Sequence, residues 1–180
     1  MKKENIISPS SWKISSWSGG TTSELLILPE DAEFKKGNYD LRISIATVEV
    51  EKSTFTPLPG VNRILTILNG ELQLIHEGHH STTLKQYQQD SFLGDWQTKS
   101  IGKVRDFNVM TRNYLAEVTI HHLSTDETIH LLSNDFFFLA EGKATINKQK
   151  IEANDSLLCE DTTVVSIIEQ SVIIRVRIKK

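Results

Sequence analysis

One structural phrase is written twice in this chain, and that repetition narrows the folds open to it more than any other feature. The first copy runs Ile67-Leu68-Asn69-Gly70-Glu71-Leu72-Gln73-Leu74-Ile75, turns, and resumes at Leu84-Lys85-Gln86-Tyr87-Gln88-Gln89-Asp90-Ser91-Phe92-Leu93. The second runs Phe138-Leu139-Ala140-Glu141-Gly142-Lys143-Ala144-Thr145-Ile146, turns through Asn147-Lys148-Gln149, and continues Ile151-Glu152-Ala153-Asn154-Asp155-Ser156-Leu157-Leu158. Each reads as an apolar strand, a glycine, an alternating strand, a tight turn, a short strand, then Asp-Ser before another apolar strand. The glycine lets the backbone bend where a Cβ would clash. The Asp-Ser pair suits a turn, since its side-chain oxygens accept from nearby N–H groups. Gly70 and Asp90 lie 20 positions apart and Gly142 and Asp155 lie 13 apart. A longer hairpin through Glu77-Gly78-His79-His80-Ser81-Thr82-Thr83 absorbs the difference.

The rest of the chain agrees with strands. Ile, Val and Thr total 45 residues against 6 Ala, a balance that favours pleated surfaces over helices. Period-two alternation marks Asp40 to Ala46, Asp106 to Met110 and Ser171 to Ile178. Breakers are frequent: Ser18-Gly19-Gly20, Pro57-Leu58-Pro59-Gly60, Asn69-Gly70, Leu93-Gly94. No window carries an i, i+3, i+4, i+7 stripe, and Ser81 to Gln89 offers one helical turn at most. The fold expected is all-β. The 180 residues carry a formal net charge of -3, which gives no cationic footprint for nucleic acid. The longest apolar runs, Leu25 to Leu28 and Phe136 to Ala140, are too short to cross a bilayer. Met1-Lys2-Lys3-Glu4-Asn5 does not read as a signal peptide, so a cytoplasmic location is expected. The single Cys159 excludes an intramolecular disulfide and a multi-Cys zinc site, and reads as a small core residue.

Gly, hairpin, then Asp before an apolar strand resembles the middle of a cupin β-barrel. Two copies suggest a bicupin: two jelly-roll-type (double-stranded β-helix) barrels, in residues 1–112 and 113–180, with strands exchanged between them. Cupins known for chemistry hold a metal through two His, a Glu and a third His. Counting back from Gly70 puts Arg63 at the Glu position and Pro57-Leu58-Pro59 where the histidines would stand. A guanidinium cannot ligate a cation. Counting back from Gly142 puts Asp135 at the Glu position, His130 at the second His and Thr128 at the first. One imidazole and one carboxylate, even with His121 or His122 nearby, make a partial set, so no metal or other cofactor is expected. His79 and His80 fall at a hairpin tip. His76 shares a face with Leu72 and Leu74 and could line the first barrel.

Function is sought where polar groups occupy faces that packing would fill with Leu or Val. Arg42 and Ser44 share one face of a strand whose other face is Leu41, Ile43 and Ile45. Asp106 and Asn108 stand opposite Phe107 and Val109, and Arg63 shares a face with Leu65 and Ile67. Glu24 follows a Gly-Gly-Thr-Thr turn. Converging in one barrel, these give a cavity for a small anionic or polar metabolite, because Arg grips carboxylates with a planar fork. Phe92 or Trp96 would close it. The same residues read equally well as solvated strand faces, with Arg42 and Arg63 paired to Glu24 or Asp106.

Five ordered blocks carry a family likeness: Trp17 to Leu25, Leu41 to Val48, Phe55 to Arg63, Phe92-Leu93-Gly94-Asp95, and Asp106-Phe107-Asn108-Val109-Met110-Thr111-Arg112. They resemble the HutD/Ves family of the RmlC-like cupin superfamily, with Ser18 departing from the Asn frequent in the Trp-x-Gly-Gly turn. The resemblance implies a bicupin without the usual metal site and without a firmly established catalytic activity. Some members are linked to histidine utilisation, where binding of an intermediate such as formylglutamate in a regulatory or accessory role has been proposed; others are described as stress-induced. A homodimer fits such a protein. The rival reading is a metal-free isomerase, epimerase or lyase with Asp106 or His76 as general base; no nucleophile elbow, P-loop or dinucleotide fingerprint supports another class.

Overall fold

The computed structural model describes residues 5–179 as an all-β chain whose only helical turns are the 3₁₀ segments Pro9–Ser11 and Phe34–Lys36. Among the described residues, no helix is long and apolar enough to cross a membrane. The chain divides into two compact units, one spanning Lys13–Tyr114 and the other built from the segments before and after it.

The Lys13–Tyr114 unit contains β1 (Lys13–Trp17), β2 (Gly20–Leu28), β3 (Leu41–Val48), β4 (Lys52–Thr54), β5 (Asn62–Gly70), β6 (Leu72–His76), β7 (Ser81–Leu84), β8 (Gln89–Leu93), β9 (Thr98–Ile101) and β10 (Val104–Thr111). They form a six-stranded sheet ordered β1-β2-β3-β10-β5-β8 and a four-stranded sheet ordered β4-β9-β6-β7. Leu65, Ile67, Leu72, Leu74, Leu84, Phe92 and Val104 pack into one apolar cluster, with Val48, Phe55 and Trp96 at its margin. The other unit contains β11 (Leu115–Leu123), β12 (Thr128–Leu131), β13 (Asp135–Ile146), β14 (Gln149–Glu152), β15 (Ser156–Leu158) and β16 (Thr163–Lys179). Ile129, Leu131, Phe137, Leu139, Ile146, Ile151, Val165 and Ile173 fill its core, and Cys159 is buried among them.

The pairing scheme occurs twice. In the first unit β10 lies between β3 and β5, β8 pairs with β5, and β6 lies between β7 and β9. In the second, β13 stands for β5 and β6 joined, and β16 for β9 and β10 joined. β16 lies between β11 and β13, β15 pairs with the start of β13, and β14 with its end. The repeated glycines hold equivalent corners: Gly70 at φ +92° and Gly142 at φ +93°. A Cβ would lie 2.7 Å from the Lys103 carbonyl oxygen at the first and 2.5 Å from that of Gln170 at the second. Only a residue without a side chain suits that approach.

The C-terminal strand lies elsewhere than its charges suggest. Charges at Arg175, Arg177 and Lys179 suggest a protected sheet edge, yet β16 is interior to its sheet, between β11 and β13. The interior strand can carry these charges because Arg175 and Arg177 both reach Asp135, a partner 40 and 42 residues upstream that local alternation cannot reveal. Lys180 lies outside the described residues.

Candidate functional site

A cavity of about 370 Å³ opens in the Lys13–Tyr114 unit. Period-two alternation and strand register build it. On β10, Asn108 stands opposite Ser44 of β3 on one side and Leu65 of β5 on the other. One step along, Met110 stands opposite Arg42 and Arg63. Opposed residues on neighbouring strands point to the same face, so Arg42, Ser44, Arg63, Leu65, Asp106, Asn108 and Met110 all line the cavity. Phe34, Phe55 and Leu58 supply apolar wall, and exposed Lys35 also lines it.

The two guanidiniums have different surroundings. Arg42 is buried, donates from Nε to Glu24 Oε2 at 2.7 Å and from Nη1 to Ser44 Oγ at 3.3 Å, and lies 4.1 Å over the Phe34 ring. Glu24 comes into reach because a bulge between Glu24 and Leu26 of β2 sets it opposite Ser44. Arg42 is thus neutralised. Arg63 makes no hydrogen bond or ion pair among the described residues; it lies 4.7 Å over Phe55 and 5.1 Å over Phe92. Burial lowers its pKa to about 10, against the opposing pull of Asp106. Burial raises the Asp106 carboxyl to about 7, and Arg63 only partly offsets it. Arg63 Nε, Asp106 Oδ1 and Asn108 Oδ1 are all buried without a protein partner. A buried polar atom left unmatched costs about 1–3 kcal/mol, so these three atoms suit the cavity to polar contents, water or ligand.

Of the other residues singled out in the sequence, Phe92 is buried beneath Arg63 rather than on the cavity wall. His76 and Trp96 are not among the lining residues. β6 belongs to the four-stranded sheet, and its inward face carries His76 with Leu72 and Leu74 towards the apolar cluster. Trp96 stacks on His79, ring centroids 3.8 Å apart. His76 Nδ1 meets Thr98 Oγ1 at 2.8 Å, and its Nε2 meets Asp90 Oδ2 at 3.0 Å. Burial lowers the His76 pKa, against the Asp90 carboxylate that favours its charged form. His80 Nε2 reaches the same Asp90 oxygen at 2.9 Å. The ligand atoms of His76, His80 and Asp90 all lie within 4.8 Å of one another. Sequence spacing could not assemble this group, since Asp90 belongs to a different sheet from His76.

The cupin metal positions hold no such set. Arg63 occupies the first unit's carboxylate position. Asp135, its counterpart in the second, accepts from Arg175, Arg177 and the Leu132 backbone N–H. His130 and Thr128 are exposed. His121 lies 3.0 Å from Thr119 Oγ1, and burial, then the nearby Arg175 charge, lowers its pKa.

A HutD family model matches residues 9–175. The fold is similar to that of a conserved protein of unknown function from Pseudomonas aeruginosa PAO1, at TM-score 0.82 and 20% identity over 99% of this chain and 100% of that one. HutD from Pseudomonas fluorescens SBW25 superposes at TM-score 0.77 and 20% identity, over 99% and 100% of the two chains. A cupin 2 conserved barrel domain protein from Leptotrichia buccalis matches at TM-score 0.64 and 11% identity, over 92% and 91%. The fold is of cupin type.

Proposed function

The chain belongs to the HutD family, and on that premise we propose that it is a bicupin, two jelly-roll-type barrels in one chain, whose Lys13–Tyr114 barrel binds a small anionic metabolite without a metal, in a regulatory or accessory role. The observation that carries this reading is the set of buried, partnerless groups, Arg63 Nε, Asp106 Oδ1 and Asn108 Oδ1, on one cavity. Charge bookkeeping selects the ligand class. Glu24 already balances Arg42, so Arg63 is the cation left for a carboxylate, held by its planar fork. Asn108 and the Asp106 carboxyl match an amide or acyl group, and Lys35 offers a second carboxylate a partner near solvent. An acyl-amino acid or dicarboxylate such as formylglutamate fits that pattern. HutD from Pseudomonas fluorescens has been solved in a formate condition, and formate is the smallest carboxylate.

The test is thermal unfolding with formylglutamate, succinate, formate and a neutral amide. A ligand at a hundred times its Kd adds about 2.7 kcal/mol, roughly 5–10 °C in Tm for a chain of this size. Arg63→Met should abolish the rise. A carboxylate panel that shifts nothing, or an equal shift in Arg63→Met, defeats the reading.

One observation favours a second reading, a metal-free isomerase, epimerase or lyase. An Asp106 carboxyl titrating at about 7 is suited to general base catalysis near neutral pH. His76 cannot share that role in this cavity, since it lies elsewhere. Turnover of a bound carboxylate that disappears in Asp106→Asn, while binding persists, would select it.

A further inference from the structure

We propose that His76, His80 and Asp90 form a binding site for one first-row divalent cation of the zinc and nickel class, with a remaining coordination position open to water. The site is separate from the cavity: none of the three residues lines it.

The hairpin after β6 makes the pair of imidazoles. His79 N–H donates to the His76 carbonyl oxygen at 3.0 Å, closing a turn whose third residue, Gly78, has φ +80°. His76 N–H then donates to the His80 carbonyl oxygen at 2.9 Å, which sets the two histidines opposite each other with ring centroids 4.6 Å apart. Asp90 arrives from β8, its Oδ1 occupied by the Ser91 N–H, and presents Oδ2 to both Nε2 atoms.

Thr98 Oγ1 lies 2.8 Å from His76 Nδ1 and 3.3 Å from the Trp96 carbonyl oxygen. In the tautomer with the proton on Nδ1 and Thr98 accepting it, His76 Nε2 turns its lone pair toward the Asp90 carboxylate oxygen 3.0 Å away, and that is the form able to share a cation with Asp90. An imidazole whose far nitrogen is fixed by a hydrogen bond is the usual arrangement of a metal-ligating histidine.

The dimensions suit the ion. Zinc–nitrogen and zinc–oxygen bonds of about 2.0–2.2 Å put neighbouring tetrahedral ligand atoms about 3.3–3.5 Å apart. The present 2.9 and 3.0 Å separations need to open by only a few tenths of an ångström. Two imidazoles and one carboxylate favour zinc, nickel or cobalt over calcium and magnesium, which prefer all-oxygen shells. Trp96, edge-on to His76 at 5.5 Å and to His80 at 5.8 Å, forms an apolar wall. His80 keeps 41% of its side chain exposed, so the ion has an entry path.

The experiment is calorimetric titration of tag-free, EDTA-treated full-length protein with Zn²⁺, Ni²⁺ and, as contrast, Mg²⁺. The expected result is one Zn²⁺ per chain and no heat from Mg²⁺. His80→Ala and Asp90→Asn should abolish it, and Thr98→Val should weaken it about 10–100-fold by releasing the His76 ring. His79→Ala removes a neighbouring imidazole and none of the ligands, so it should bind as the wild type does. Because His80 is exposed, its removal leaves the core intact and keeps the test valid even where Asp90→Asn disturbs folding. Absent Zn²⁺ binding, equal losses in His79→Ala and His80→Ala, or full binding in His80→Ala overturns the proposal. Loss of the carboxylate response in Arg63→Met leaves it untouched.

Discussion

Replacing Asp106 by Asn tests whether the cavity is dry. In the folded chain burial lifts this carboxyl from 3.8 to about 7. Between those values the folded state keeps a proton that the unfolded state has released. Stability attributable to Asp106 is therefore highest below about pH 4, falls as pH rises through the window, and levels off above about pH 7. Three pH units at about 1.4 kcal/mol each set a ceiling near 4 kcal/mol. Water admitted to the cavity screens part of this, so about 2–3 kcal/mol is expected between pH 4.5 and 8. Asparagine keeps the shape and cannot ionise. Urea unfolding of both proteins at several pH values isolates the effect, because every other titrating group cancels in the difference. The gap in stability should widen in favour of Asp106→Asn as pH rises, by about 2–3 kcal/mol overall. Parallel profiles, within about 0.5 kcal/mol, would mean that Asp106 ionises as in water, and the inference of unmet polar groups would fall with it.

Other perturbations have distinct signatures. Arg63→Met, which replaces a buried guanidinium without an ion-pair partner by an apolar chain of similar length, should match or exceed wild-type Tm at pH 6 while losing the carboxylate response. Asp135→Asn strands Arg175 and Arg177 and should lower unfolding free energy by about 3–5 kcal/mol in a denaturant melt. Gly142→Ala places a Cβ 2.1 Å from Ser171 Oγ at φ +93°, and should lose well over 1 kcal/mol. Gly78→Ala, at φ +80° with nothing within 4 Å, should lose only about 1 kcal/mol, and comparison of the two melts checks that backbone approach, not φ alone, is decisive. With His121 held below its ordinary pKa, the unfolded chain binds the proton more readily, so stability falls as pH drops through about 6.5; His121→Asn should flatten that limb of the profile.

What the sequence revealed and concealed follows from the range of each interaction. Alternation is local, so Arg42, Ser44, Arg63, Asp106 and Asn108 could be read off their strands, and the structure brings all five to one cavity. The glycine repeat is local too, and Gly70 and Gly142 adopt the same backbone angle. Pairings between distant segments leave no such trace. Whether Glu24 or a ligand answers Arg42 depends on a bulge in β2 and on strand register, and Asp135 draws Arg175 and Arg177 from the far end of the chain. His80 is exposed at the hairpin tip where the sequence puts it, but its bond to Asp90, which arrives on another sheet, leaves no trace in the sequence. Trp96 read as a pocket lid because aromatic residues near polar strands usually are amphipathic covers, yet its surface is taken by His79.

Register brings equivalent positions of the two units into correspondence. Arg63 and Asp135 each stand seven positions before a repeat glycine. Across the pairing, Asn108 opposes Leu65 as Arg175 opposes Phe137, and Met110 opposes Arg63 as Arg177 opposes Asp135. In the second unit these positions form a closed set: one buried carboxylate, two guanidiniums and a backbone N–H, all matched. In the first they leave a guanidinium, a carboxyl and an amide with atoms unanswered. Ile173, in the register of Asp106, is fully buried and apolar. A fold can satisfy these positions from within, since the second unit does so with the same pairing scheme. The first unit leaves Arg63 Nε, Asp106 Oδ1 and Asn108 Oδ1 without a protein partner at the equivalent positions, and the proposed ligand site rests on that difference.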